Sequence, residues 1–234
     1  MEFHWHQEVT STNDEAKKLA VAGAEHGTLV GADYQIKGRG RTGKSWECAV
    51  GEGLMCSIIV RPKWSKPYWG WVALMTGLVI SDLLERDCLY PRIKYPNDIL
   101  VNGKKIAGIL TEASSGYVVV GIGMNLNMKY LPVVDSAIQP TSFLLETDCE
   151  LDARSYAETV QRSLATLVSC DSPLLFRGEI ERRVAWKGER VMLKTKTATM
   201  EGVIRGIGEY GQLLLEGESG ELEVFDAYEI RPMT

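Results

Sequence analysis

The sequence predicts an α+β chain, with strands and helices interleaved over 1–185 and a small all-β unit over 186–234. Three observations carry this. Apolar runs of strand length, bounded by turn residues, recur along the chain, as at 54–60 and 117–124. Between them lie segments whose apolar residues repeat at helical spacing. After Trp186-Lys187-Gly188 the texture changes to short apolar stretches separated by glycine, the pattern of a small barrel.

Each element has a local signature. His4 and His6 are two apart and share one face of a first strand. With no third ligand nearby they read as edge residues rather than a metal pair. Thr12 and Glu15 have the spacing of a capping box, and Ala16, Leu19 and Ala20 give the buried stripe of a short helix ending at Gly23. A strand over 28–35 delivers Gln35 to a glycine-rich loop, and 54–60 is a buried strand. Val72, Met75, Val79 and Leu83 mark a helix running to about Glu85. A short strand over 92–95 stops at Pro96. Asn102-Gly103 is a strong hairpin turn leading into strands over 105–112 and 117–124. A loop is expected over 132–140, then helices over 151–169 and 173–183. In the last part, short strands are expected at 190–193, 202–205, 213–215 and 223–225.

Composition narrows the function. The chain has 234 residues, 45% of them apolar and 24% charged, ordinary for a globular protein. A net charge of −5 argues against a polyanion track, so no nucleic acid is expected as a partner. The most apolar stretch, 69–84, is interrupted by Gly70, Thr76, Gly77, Ser81 and Asp82, so no membrane span is expected. The first residues lack the basic start and apolar core of a secretory signal. The five cysteines are scattered and free of C-x-x-C, which suggests reduced thiols in a cytoplasm.

The chemistry concentrates in Gly38-Arg39-Gly40-Arg41-Thr42-Gly43-Lys44-Ser45-Trp46. Glycine opens backbone shapes closed to other residues, and arginine offers a planar fork suited to carboxylate and phosphate. The loop matches G-x-x-x-x-G-K-[ST] and G-x-G-x-x-G literally. Both motifs need a helix to open at once, because its N-terminus holds the phosphate. The adjoining segment, Trp46-Glu47-Cys48-Ala49-Val50-Gly51, has no helical period. A clamp for an anionic small molecule and a solvated surface loop remain as readings. Two glycines, Gly121 and Gly123, stand at a strand end, where they let a ligand approach the backbone or mark a bulge.

Five segments in order then carry a resemblance: Ser11-Thr12-Asn13, the glycine-arginine loop, Lys94-Tyr95-Pro96-Asn97-Asp98, Lys105-Ile106-Ala107-Gly108-Ile109-Leu110, and Gly121-Ile122-Gly123-Met124-Asn125. Together they resemble the biotin protein ligase family over nearly the whole chain. Two departures are visible. Tyr95 stands where the family usually has tryptophan, and Lys44 where arginine is common.

The resemblance implies a mixed sheet with helices packed on one side, followed by an SH3-like barrel. It implies a two-step reaction in the cytoplasm. Biotin and ATP, with Mg2+, give biotinyl-5′-AMP, and the biotinyl group then passes to one lysine of a biotin carboxyl carrier protein. The related fold of lipoate and octanoate ligases is the nearest rival, and a ligand sensor or DNA-binding regulator without catalysis is another. The triplet at Ser11 leaves little room ahead of it for the DNA-binding segment that some members carry, so the short form is expected. Members of the family often form homodimers.

By motif position, Ser11, Thr12, Asn13 and Gln35 are implied to bind the polar head of biotin, with Gly108, Gly121 and Gly123 around it. Arg39, Gly40 and Arg41 are implied to wrap the ligand and its adenylate. Lys105 is placed at the acyl–phosphate junction, and Arg41, Lys94 and Lys105 carry the catalytic charge. Lys44, Trp46, Lys94, Asn97, Asp98 and Asn125 are implied to face ATP. Trp46 has the alternative role of a core anchor. Asp98 is a candidate metal ligand, a strand cap, or the group that orients the incoming amine. Arg231 is a candidate for reaching the nucleotide from the barrel. The loop is expected to be mobile without ligand and to close over the adenylate.

Overall fold

A seven-stranded mixed sheet positions everything that matters for function. The computed structural model describes residues 1–134, 137–218 and 220–233; the expected loop at 132–140 includes Asp135 and Ser136, which lie outside them. The strands are β1 (Phe3–Val9), β2 (Leu29–Gln35), β3 (Gly53–Val60), β4 (Arg92–Lys94), β5 (Asp98–Val101), β6 (Lys104–Ser114) and β7 (Tyr117–Asn125). Their spatial order is β1-β2-β3-β7-β6-β5-β4. Only β1 and β2 run parallel; the other neighbours are antiparallel. Asn102 and Gly103 both take positive φ, 50° and 75°, the two left-handed residues that the predicted two-residue hairpin between β5 and β6 requires.

Strand alternation separates two faces. Leu54, Cys56, Ile58 and Val60 of β3 and Val118, Val120, Ile122 and Met124 of β7 enter one continuous apolar core. Helices α2 (Trp71–Arg86) and α4 (Ala153–Val168) cover this face, joined by α5 (Arg177–Arg183) and the short α3 (Phe143–Thr147). The other residues of the same strands face the opposite way. There α1 (Thr12–Val21) sets Ala16 and Ala20 against Val30, Ile59 and Val119. The implied packing of helices on one side is therefore corrected for α1, whose alanines let it lie close on the second face.

The expected capping box is also corrected. Ser11, with extended φ of −160°, is the N-cap, and Thr12 is the first helical residue. The Thr12 hydroxyl turns inward to the sheet instead, and Glu15 pairs with Lys18.

The chain ends in a five-stranded antiparallel sheet of order β11-β10-β9-β8-β12, which fits an SH3-like barrel. Its strands are β8 (Arg190–Lys194), β9 (Thr199–Ile207), β10 (Leu213–Gly217), β11 (Gly220–Val224) and β12 (Glu229–Pro232). Its interior residues, among them Val191, Leu193, Leu213, Leu215 and Ile230, join the main core without a break. Strand β12 has no counterpart in the sequence reading, because Ile230 is its one buried apolar residue. Among the described residues, no helix is long and apolar enough to cross a membrane.

Candidate functional site

The second face of the sheet carries a cleft where strand alternation would otherwise place bulky residues. Here β3, β7 and β6 present Ser57, Gly121 and Leu110 in one cross-strand row, and Met55, Gly123 and Gly108 in the next. The glycines are required by close approach. A Cβ on Gly121 would lie 2.2 Å from Asn13 Oδ1, and one on Gly123 would lie 2.4 Å from the Trp46 ring. A Cβ on Gly108 would lie 3.2 Å from both Lys105 Nζ and the Trp46 indole. Residues 11–13, 39–41 and 121–123 line the cleft with Gln35, Trp46, Asn97, Lys105 and Gly108.

One end is neutral and hydrogen-bonded. Gln35 Oε1 accepts from the Thr12 backbone N–H at 2.8 Å and from its hydroxyl at 3.1 Å. That orients the Gln35 amide and leaves its Nε2 for a ligand acceptor. Ser57 lies 2.8 Å from the Thr12 hydroxyl and donates to Asn13 Oδ1 at 2.6 Å. Asn13 Nδ2 donates to Glu112 at 2.6 Å and to the Leu110 carbonyl at 3.5 Å. Asn13, expected as a direct ligand, thus has both amide hydrogens committed inside the protein. It shapes the pocket floor.

The other end is cationic. Lys94 and Lys105 grip opposite oxygens of Asp98, at 2.9 and 2.6 Å. Burial acts to raise the Asp98 pKa, but the two lysines outweigh it and hold the carboxyl below the usual carboxylate range. Both oxygens of Asp98 are thus engaged by lysines in this structure. Among the described residues no group of three or more His, Cys, Asp or Glu could hold a metal ion. Lys105 Nζ also lies 5.7 Å from the centre of a Trp46 ring, in cation–π range. The backbone of Lys105 is clamped by Gln139 and Thr141.

The loop closes the top. Arg39 presents its fork to Asp14 at 2.7 and 2.6 Å, and this bond holds the Asp14 carboxyl well below its ordinary value. Arg41 donates to Asn97 Oδ1 at 2.9 Å and pairs with Asp226 of the C-terminal sheet. Thr42 takes φ of 59°, which makes the tight turn at the loop's tip. The Trp46 indole lies over the glycine floor, and its Nε1 is buried without a hydrogen-bond partner. Both of its readings meet here: it anchors the loop and it lines the cleft. The free space left is about 50 Å³, room for a few waters at roughly 10–15 Å³ each.

Three expected residues stand elsewhere. Asn125 is buried and donates to the Thr141 carbonyl at 2.8 Å, so it supports the segment clamping Lys105 instead of facing a nucleotide. Lys44 is exposed and outside the cleft lining. Arg231 sits in β12 with its guanidinium against the Met192 sulfur, while the preceding turn, at Asp226 and Ala227, is what reaches the loop. Sequence reasoning missed Ser57, Glu112, Asp14 and Asp226. A lone serine inside the apolar run 54–60 was the readable signal for Ser57. Glu112 shares the face of Gly108 and Leu110 by simple alternation. Asp226 gave no signal, because its role rests on a contact across 185 positions of sequence.

Comparison with known proteins adds relatives to this geometry. Residues 5–128 match the model of the Biotin/lipoate A/B protein ligase family. A bifunctional ligase/repressor of Bacillus subtilis is 31% identical, with 95% of this chain and 72% of that protein covered. A biotin–[acetyl-CoA-carboxylase] ligase of Paracoccus denitrificans is 31% identical over 94% of this chain and 96% of its own. Among solved structures, the biotin protein ligase of Aquifex aeolicus in complex with biotin and ATP superposes with a TM-score of 0.86. It is 29% identical and 99% of each chain is covered.

Proposed function

Because the chain belongs to the Biotin/lipoate A/B protein ligase family, we propose that it is an ATP-dependent biotin protein ligase. The observation that carries the reading is a cleft with a neutral hydrogen-bonding end and a cationic end, joined by a glycine floor. Biotin has an uncharged ureido head and a carboxylate tail, and such a molecule fits that polarity. The family alone leaves lipoate open. The relatives named as biotin ligases favour biotin.

In the first step, a biotin carboxylate oxygen attacks the α-phosphorus of ATP. The bond from that phosphorus to the bridging oxygen breaks, and pyrophosphate leaves with the electron pair. Like charges oppose this encounter. Lys105 and Arg41 line the cleft and offset the repulsion, and they stabilise negative charge that grows on the phosphoryl oxygens. Lys94 acts one carboxylate away, by sharing Asp98 with Lys105. A magnesium ion would enter with the ATP phosphates, since its expected resident ligand is engaged by lysines. In the second step, the amine of a carrier lysine attacks the acyl carbon, AMP leaves, and the amine loses a proton. The carrier is of the biotin carboxyl carrier class.

Residues 1–185 form the catalytic unit in this reading and 186–234 the barrel. Trp46 and the loop residues cover the cleft, and in this reading the loop opens to admit biotin and closes again over the adenylate. Trypsin should cut after Arg39, Arg41 or Lys44 more slowly once biotin and ATP are added; equal cutting in both states would remove the lid role. Pyrophosphate release that needs both ATP and biotin tests the activity itself. Release with lipoate in place of biotin would transfer the reading to the rival substrate.

A further inference from the structure

Arg41 is held from across the chain. Its Nη1 donates to Asn97 Oδ1 at 2.9 Å and to the Ala227 carbonyl at 3.3 Å, and its Nη2 pairs with Asp226. A guanidinium has five N–H donors. Three are therefore spent on fixed acceptors, and Nε–H with one Nη2–H remains for a ligand. Two of the three acceptors stand on the turn between β11 and β12. That turn is itself tied down by Tyr95, whose hydroxyl donates to the carbonyls of Val224 at 3.0 Å and Phe225 at 3.1 Å. Tyr95 is buried, and burial pushes its hydroxyl pKa upward, so it stays a donor at neutral pH. Phenylalanine would fill the same space without making those bonds.

We propose that Asp226 and Tyr95 are positioning residues for Arg41, so that the C-terminal sheet supplies part of the adenylation site. The chain of contacts runs from the Tyr95 hydroxyl to the β11–β12 turn, from Asp226 to the guanidinium, and from the guanidinium into the cleft. Each link is a named bond. The effect on chemistry is orientation: Arg41 meets the phosphoryl group already aimed, without first giving up conformational freedom. A separate tie joins the same two units away from Arg41. The Tyr68 hydroxyl donates to Glu209 at 2.6 Å, and Trp71 Nε1 donates to the Glu209 carbonyl at 2.8 Å. This second tie supplies the control.

The inference rests on the adenylation reading, and the experiment separates the two. Tyr95→Phe, Asp226→Asn, their double variant and Tyr68→Phe are compared with wild type in biotin-dependent pyrophosphate release. Asp226→Asn should raise KM for ATP about tenfold and Tyr95→Phe about threefold, while KM for biotin stays within twofold. The double variant should be no worse than Asp226→Asn, because both act through one guanidinium. Tyr68→Phe should match wild type. Multiplying effects in the double variant, an equal rise in both KM values, or a shift of the same size in Tyr68→Phe would overturn the proposal, as would unchanged kinetics in Asp226→Asn. If wild type makes no adenylate, the functional reading fails instead. Tryptic cleavage after Arg41 then still tests the positioning: it should be faster in Tyr95→Phe and Asp226→Asn than in Tyr68→Phe, and equal rates would reject it.

Discussion

The two faces of the large sheet are made by alternate residues of the same strands, yet they obey different rules. Toward α2 and α4, β3 and β7 present Leu54, Cys56, Ile58, Val120, Ile122 and Met124, all buried in one apolar cluster. Toward α1 and the loop they present Ser57, Gly121 and Gly123, with Gly108 from β6. The first face is filled by its own side chains. The second withholds side chains, and its filling arrives from elsewhere: Asn13 from α1, Trp46 from the loop and, in our reading, the ligand. A glycine that weakens a strand's packing is here what opens a site.

That contrast can be broken by substitutions of graded effect. The largest is expected at Lys105, which stands over the glycine floor. Lys105→Ala should slow biotin-dependent pyrophosphate release by at least about 100-fold, the scale of losing one preorganised charge donor. Its melting temperature should also fall, because the buried Asp98 carboxyl loses one of its two lysine partners, so release is compared at a temperature where both proteins are folded. Retained release would contradict the role.

Next come paired substitutions one residue apart. Val120→Ala, on the filled face and away from the cleft lining, should cost roughly 0.5–3 kcal/mol of stability and leave biotin affinity within a few-fold. Gly121→Ala, on the open face, drives a methyl into Asn13. It should cost about 1–3 kcal/mol and weaken biotin binding at least tenfold. Denaturant melts and isothermal titration on the pair read both quantities; the same ratio of stability loss to affinity loss in the two would erase the distinction between faces.

Arg41→Gly tests the lid over the open face. The adenylate should leave about tenfold faster, as expected for roughly 1.4 kcal/mol of lost contact. An off-rate equal to wild type would sink that claim.

The smallest effect is on acid stability. Asp14, Asp98 and Glu112 all have carboxyl pKa values held below the ordinary range. A depressed pKa contributes stability that is present above the unfolded value, about 4, and is lost as pH falls toward the folded one. Thermal melts should therefore drop between about pH 5 and pH 3, and drop less in Asp98→Asn. A parallel drop in both proteins would show that Asp98 does not contribute.

Much of this was legible in the sequence because it is local or periodic. The apolar runs at 54–60 and 117–124, the helical spacing of Val72, Met75, Val79 and Leu83, and the Asn102-Gly103 turn all declare themselves within a few residues. So do the motif segments that gather at the cleft. The errors have one cause, which is competition from distant partners. Thr12 gives up its capping role to a hydroxyl contact with Ser57 and Gln35. Asn125 turns to Thr141. The dependence of Arg41 on Asp226 is invisible until both sheets are in place.

The central claim is that the open face brings biotin and ATP together. The direct measurement is to incubate the protein with ATP, magnesium, biotin and a biotin carboxyl carrier domain, and to read the mass of the carrier. The account predicts one biotinyl group on a single lysine, dependent on ATP and absent with Lys105→Ala. A carrier left unmodified while the wild-type protein remains folded would contradict it.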